Sequence, residues 1–441
     1  MHPLEFVTAE IDLLMGHDLS FFAAYMMMVG RGIQNVWDAD KIVVIIDHFV
    51  PAPNVSYAGI HKNIRENVRK LGIKKFHDAG AGICHQVIPD KGYALPGKLI
   101  VGGDSHATTY GALGAASTGI GVSELAYVMA KGSLWFMVPE TIKFNLVENL
   151  PRMVSAKDII LKIAGQYSCE VAQYKSIEFC GPGAGALSID QRLTICNMGV
   201  EVGAKFAFFE TDEKSMAYLK ARTDEPVEHF RPDPDARYSA TYELDVSKLE
   251  PLVACPHNVD NVKPVYELKD VPVNQAVLGS CTNGRLEDFE RAAAIIKGRK
   301  IAHGVRFLVI PASQEIYNQL ESEGLADRNF SGRRRCPRPG RLRAMSRRTY
   351  GCTCAGRNGY IFDQSEFQRK NGQSGKLHLS WFCRNRGGFS NRRQNRGPAE
   401  VYTLKSFRII NSKTEDLSGK SHRALWPILS PISPREKIDF A

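Results

Sequence analysis

Residues 98–121 read KLIVGGDSHATTYGALGAASTGIG, and the reading of this stretch decides the fold. The apolar run 98–101 suits a strand and stops at two glycines. Asp104, Ser105 and His106 follow, three small polar groups that can move a proton. Glycine and alanine then crowd the chain, so backbone has to approach backbone or a ligand closely. A turn capped by Asp104 would account for the polar residues equally well.

Strand, polar turn and helix recur in this order on both sides. Residues 41–50, KIVVIIDHFV, are an apolar β-branched run ending in polar residues, as a buried parallel strand would be. Residues 58–71 have helical spacing, with Ile60, Ile64, Val68 and Leu71 on one face. Residues 122–133 and 155–165 read as helices, the second with Ser155 as its N-cap. Residues 275–278 read as a strand ending at GSCTNG, 288–297 as the helix behind it, and 303–311 as one more strand. The alternation predicts an α/β fold, a mostly parallel sheet with helices on both faces. In such sheets ligands sit beyond the carboxyl ends of the strands, where these polar motifs lie. Residues 222–240, rich in Asp, Pro and Arg, read as a surface loop or domain connection.

Four further clusters carry possible chemistry. Asp47-His48 can share a proton or bind a substrate hydroxyl, although a capping Asp beside a half-buried His fits as well. Cys84-His85-Gln86 follows a glycine-rich turn, and one adjacent Cys–His pair is weak evidence for a metal. Asn197 and Glu201 are four apart in TICNMGVEVGA, so on a helix they share a face. A polar pair in an apolar helix costs free energy unless it is used or paired. Cys281 stands in a tight polar turn, where a thiolate could ligate iron or act as a nucleophile, and a plain buried cysteine stays open.

The chain has 441 residues, 44% of them hydrophobic, enough for about two to four domains. No apolar run reaches the ~18–20 residues that span a bilayer, and the start has no signal-peptide pattern. Ten scattered cysteines suit a reducing compartment, so a cytoplasmic location is expected. The net charge of +10 alone suggests a nucleic-acid partner. It is concentrated, however, in residues 331–400, where fifteen Arg and two Lys face Asp363, Glu366 and Glu400, a net of +14. The rest of the chain carries 40 basic and 44 acidic groups, a net of −4.

In this order the motifs resemble the aconitase superfamily of iron–sulfur hydro-lyases, within it the large subunits of 3-isopropylmalate dehydratase and homoaconitase. VGGDSHATTYGALG, TICNMGVEVGAK and LGSCTNGRLEDF carry the resemblance, which runs from residue 8 to 328. It implies a three-domain α/β/α architecture with parallel-rich sheets. Residues 1–330 would hold the first and second domains, 331–400 a disrupted arginine-rich remnant of the third, and 401–441 a poorly defined tail. It implies that Asp47, His48, Asp104 and His106 are catalytic, and that His17, Asp18, His85, Ser105, Asn197 and Glu201 bind substrate. Cys281 would be the first of three thiolates on a [4Fe–4S] cluster, whose fourth iron is a Lewis acid for the substrate hydroxyl and carboxylate. The implied reaction interconverts 2-isopropylmalate and 3-isopropylmalate by dehydration and rehydration, in leucine biosynthesis. The implied partner is a small subunit carrying a swivel domain with the serine base. Alternatives are a homoaconitase-like dehydratase of another hydroxy-polycarboxylate, a non-catalytic RNA-binding relative, or an inactive pseudogene product. Family members begin further upstream, so a truncated N-terminus is expected.

The family also needs a Cys-x-x-Cys and an Asn-Arg-Asn-Phe-x-Gly-Arg stretch after Cys281. The arginine-rich window stands in their place, and the spacing of Cys336, Cys352, Cys354 and Cys383 does not match. Two of the three expected cysteine ligands are therefore not found. The window lacks hydrophobic periodicity, which predicts no core strand or helix there. A shifted reading frame accounts for it. Residues 342–346, LRAMS, can be written CTG-CGG-GCC-ATG-TCG, which one base later reads Cys-Gly-Pro-Cys. Residues 363–370, DQSEFQRK, can be written so that one base later they begin Thr-Asn-Arg-Asn-Phe-Lys-Gly. Residues 381–397 similarly yield a small-residue helix. Three hits in one frame and in order predict that residues ~330–397 are translated out of frame, so the charge is expected to reflect the frame and not a nucleic-acid partner.

Overall fold

Mostly apolar strands alternating with helices build the first part of the chain, two of the helices starting at side-chain caps from His17 and Asn54. Its elements are β1 (Phe6–Glu10), β2 (Leu13–His17), α1 (Asp18–Gly30), β3 (Ile42–Ile45), α2 (Val55–Lys70), β4 (Lys75–His77), α3 (Cys84–Asp90), β5 (Leu99–Gly102), β6 (Ala116–Gly119), α4 (Val122–Lys131) and β7 (Ser133–Met137). The computed structural model describes residues 2–325 and four short strands beyond them. The first sheet is fully parallel, in the order β4-β3-β2-β5-β6. Chain order reverses at β2, because β3 and β4 lie on one side of it and β5 and β6 on the other. Such a switch point opens a crevice at the carboxyl ends of the strands. β1 and β7 form a separate antiparallel ribbon.

A second parallel sheet, β10-β9-β8-β11, follows. It comprises β8 (Thr141–Val147), α5 (Ala156–Tyr167), β9 (Ser176–Cys180), α6 (Pro182–Ala186), α7 (Ile189–Asn197), β10 (Phe206–Phe209), α8 (Glu213–Lys220) and β11 (Ala240–Asp245). β8 alternates buried and half-exposed residues, the period of a sheet with one covered face. Phe144 is fully buried and stacks with Phe179 and Tyr242. An antiparallel pair follows, β12 (Leu252–Ala254) and β13 (Val262–Pro264). Then come β14 (Gln275–Gly279), α9 (Leu286–Ile296), β15 (Arg306–Ile310) and α10 (Gln314–Ser322), with β14 and β15 parallel. One apolar core spans Leu13, Val43 and Ile100 of the first sheet and Phe289, Val309 and Ile316 of this last part. Among the described residues no helix is long and apolar enough to cross a membrane.

The α/β expectation and the parallel pairing match this architecture. Ser155 caps α5 in a capping box with Asp158, and residues 222–240 are mostly exposed and without regular structure up to β11. Ile60, Ile64, Val68 and Leu71 share the face of α2 that packs on the core, Ile64 and Val68 buried and Ile60 and Leu71 partly so, with His61 buried beside them. Two expectations change. Asn197 ends α7, and Glu201 lies in the 3-10 turn Met198–Val202, so the two do not share one α-helical face. The window past 330, expected to form no core strand, contributes β16 (Gly359–Ile361) parallel to β14 and β19 (Trp381–Phe382) antiparallel to β16, with β17 (Glu366–Gln368) and β18 (Lys376–His378) paired between them. An open edge of β14 offers N–H and C=O groups that an extended segment can pair without hydrophobic periodicity. Otherwise the readings of 331–400 as a third-domain remnant, of 401–441 as a tail and of the four window cysteines fall outside the described residues.

Candidate active site

Three adjacent parallel strands deliver the polar motifs to one place. β2 ends at His17 and runs into Asp18, β3 is followed by Asp47 and His48, and β5 by Asp104, Ser105 and His106. Asp104 is the hub. Its Oδ1 accepts from His85 Nε2 at 2.7 Å and from the His106 backbone N–H at 2.8 Å, and its Oδ2 from His48 Nε2 at 3.1 Å. Asp104 also caps the 3-10 helix Ser105–Leu113, so the capping reading holds alongside this side-chain network. Asp47 Oδ1 lies 2.7 Å from His48 Nδ1, and its Oδ2 accepts the Cys84 N–H at 2.7 Å.

Carboxylates only accept, so both His48 nitrogens carry protons and the ring is an imidazolium. Burial opposes that charge, but Asp47 and Asp104 outweigh it and raise the His48 pKa well above 6.5. Burial likewise pushes the Asp104 carboxyl up, and His85 and His48 outweigh it to hold it well below 3.8. His85, fully buried, lies between Asp104 and the Tyr110 hydroxyl at 3.3 Å.

His17 caps α1, with Nε2 donating to Gly103 O at 2.9 Å, and its ring stacks on His48 at 3.7 Å. Asp18 is fully buried and accepts the His48 N–H at 3.3 Å and the Phe49 N–H at 2.9 Å. On the other side His106 Nδ1 donates to Asn197 O at 2.9 Å, and its Nε2 is 3.7 Å from Glu201 Oε1. Asn197 donates to Thr109 at 2.9 Å and accepts from Thr282 at 3.0 Å. Ser105 is half-buried beside this network. The structure therefore brings the sequence-selected residues together around β2, β3 and β5.

Cys281 follows Gly279 and Ser280, both with positive φ (121° and 122°), and is buried. Buried Arg285 donates to Thr194 at 3.1 Å and to the carbonyls of Thr282 and Cys281 at 2.7 and 3.2 Å. Cys84 is buried with its thiol pushed up by burial, Asp47, Asp104 and Cys281.

Among the described residues, a group able to hold a metal ion is His17, Asp18, Asp47 and His48, whose ligand atoms lie within 4.8 Å of one another. Those atoms already bond one another and nearby backbone N–H groups. A cubane with one open iron asks for three thiolates. Beside this network the described residues present only the sulfurs of Cys281 and Cys84, and do not by themselves fit such a cluster.

Sequence reasoning missed Thr109, Thr194, Thr282, Arg285 and His61. Each is a polar residue whose partner lies 43 to 91 positions away, and only that partner gives it meaning. Arg285 and Thr282 at least lay inside the recognised GSCTNGR stretch.

The profile of the Aconitase family (aconitate hydratase) matches residues 5–267 and 261–332. The "Probable 3-isopropylmalate dehydratase large subunit" of Methanothermobacter thermautotrophicus is 47% identical over 323 residues, 73% of this chain and 77% of its own. The 3-isopropylmalate dehydratase large subunit of Caldicellulosiruptor saccharolyticus is 44% identical over 329 residues, 74% of this chain and 77% of its own. The "Probable methanogen homoaconitase large subunit" of Methanosarcina mazei is 45% identical over 306 residues, 69% of this chain and 78% of its own. With the site at the strand ends and matches of this extent, the chain belongs to the aconitase family, which generally carries a [4Fe–4S] cluster.

Proposed function

We propose that the chain is the large subunit of a hydro-lyase that interconverts 2-isopropylmalate and 3-isopropylmalate, in leucine biosynthesis, with a small subunit supplying the swivel domain. The observation that carries this is the imidazole–carboxylate network centred on Asp104, at the switch point of the first sheet. Removing water across a carbon–carbon bond needs a proton delivered to the departing hydroxyl. His48 holds such a proton between Asp47 and Asp104. When it leaves, Asp104 keeps its bond to His85, so the buried charge stays paired. His106, fixed by Asn197 O, and half-buried Ser105 present polar groups that suit binding of the substrate's hydroxyl and carboxylates. Six described cysteines are free thiols, in keeping with a reducing cytoplasm.

When bound, the cluster supplies a Lewis-acidic iron, with Cys281 as one ligand. The chain as written lacks the remaining thiolates in the family's pattern, and we read residues ~330–397 as out of frame. Anaerobic reconstitution is then expected to give neither a stable cubane absorption nor turnover of 2-isopropylmalate, whereas a chain with the frame restored gives both. A stable cubane with turnover in the chain as written, or a coding sequence with no one-base offset bracketing the window, overturns this part. The homoaconitase large subunit among the relatives favours a second reading, a longer hydroxy-tricarboxylate substrate. Assaying the restored chain with both acids separates the two.

A further inference from the structure

His61 sits where an aliphatic side chain would satisfy helix packing. It shares the covered stripe of α2 with Ile64 and Val68 and is only 4% exposed. Burying an imidazole costs free energy unless its N–H is bonded. Nε2 of His61 lies 3.2 Å from Asp18 Oδ2. A carboxylate only accepts, so the proton is on Nε2. The same Oδ2 takes the Phe49 N–H at 2.9 Å, and Oδ1 takes the His48 N–H at 3.3 Å. Asp18 therefore anchors the backbone where the chain leaves β3 and delivers His48. The His48 ring lies on His17 at an interplanar angle of 16°, and its Nδ1 is 3.9 Å from Asp18 Oδ1.

We propose that His61 is a positioning residue, whose Nε2–H pins Asp18 and through it the stacked His17–His48 pair. The inference rests on reading that pair as part of the proton-handling substrate site. Burial alone would raise the Asp18 carboxyl. The His17 imidazole, the His61 Nε2–H and the charge of His48 hold it far below the usual range instead.

Long-range proton–nitrogen spectra of the full chain with 15N-labelled histidine test this without turnover, with signals assigned through H17Q and H48Q. His61 is expected in the Nε2–H tautomer. H61L is expected to displace the ring-nitrogen signals of His17 and His48, and H61Q, whose amide nitrogen reaches Asp18, to restore them. In the chain with the frame restored, H61L should also weaken binding of 2-isopropylmalate about tenfold, with H61Q near the unsubstituted chain. An Nδ1–H tautomer for His61 in the unsubstituted chain overturns the proposal even if H61L fails to fold. So does a folded H61L with unmoved His17 and His48 signals. If the signals move but the frame-restored chain binds no 2-isopropylmalate, the positioning role stands and the substrate reading fails.

Discussion

His48 shows how two carboxylates set one proton. Its pKa is raised because Asp47 and Asp104 face its two nitrogens, so protonation stabilises the native state. That contribution is complete below about pH 6.5, the ordinary imidazole value, and is lost as pH rises through the higher folded value. Asp104→Asn removes one carboxylate and is expected to lower the His48 midpoint. A histidine nitrogen titration reads this directly, and an unchanged midpoint would show that Asp104 does not carry the shift. Asp190, in the first turn of α7, shifts in the same direction in a lower pH window, but there it is the charged form that the fold disfavours. Burial raises its carboxyl to about 6, with Arg285 opposing and Asp288 and Glu287 adding to the rise. The folded state therefore holds the proton more tightly than the unfolded chain, and stability falls as pH climbs from about 4 to 6. Asp190→Asn is expected to stabilise the fold by about 1–3 kcal/mol above pH 6 and to leave it nearly unchanged below pH 4, as read from urea midpoints at the two pH values.

At the scale of elements, what matters is where a strand stops. Asp47-His48 and Asp104-Ser105-His106 were legible because each follows an apolar run whose end the sequence marks. His61 was not, because its neighbours on α2 follow the ordinary helical stripe and its partner is 43 residues away. The order β4-β3-β2-β5-β6 was equally hidden, since each βα unit reads alike locally and only packing decides on which side of β2 it adds. The Asn197–Glu201 spacing misled for a related reason. α7 gives way to a 3-10 turn at Met198, and a four-residue spacing says nothing across that change. The turn into Cys281 is set by backbone approach. A Cβ at Gly279 would stand 1.8 Å from Ile310 O, at φ 121°. Gly279→Ala is expected to cost at least ~2 kcal/mol by separating β14 from β15. Denaturant unfolding checks it, and a loss under 0.5 kcal/mol, within the ordinary range for surface changes, would count against this account.

For the whole molecule, the charge divides the chain more sharply than any motif does. Most of it is mildly acidic, and the +14 window is foreign to that balance. If the window were an RNA-binding device, nucleic acid should stay with the purified chain and leave as salt rises. The out-of-frame reading expects an absorbance ratio of clean protein after a moderate-salt wash. The second sheet has a different consequence. β8 and β11 pair along six residues, Ala240–Asp245 against Ile142–Val147, although the exposed connection 223–239 separates β11 from the strands before it. The Gly82–Ser313 bridge and the Ile83 N–H bond to Ala312 O at 2.8 Å tie the first sheet to the part after β14 as well. A protease that nicks 223–239 would therefore produce two fragments that migrate apart in denaturing gels but elute together from a native column. The chain could be supplied as two separately made pieces and still find its shape.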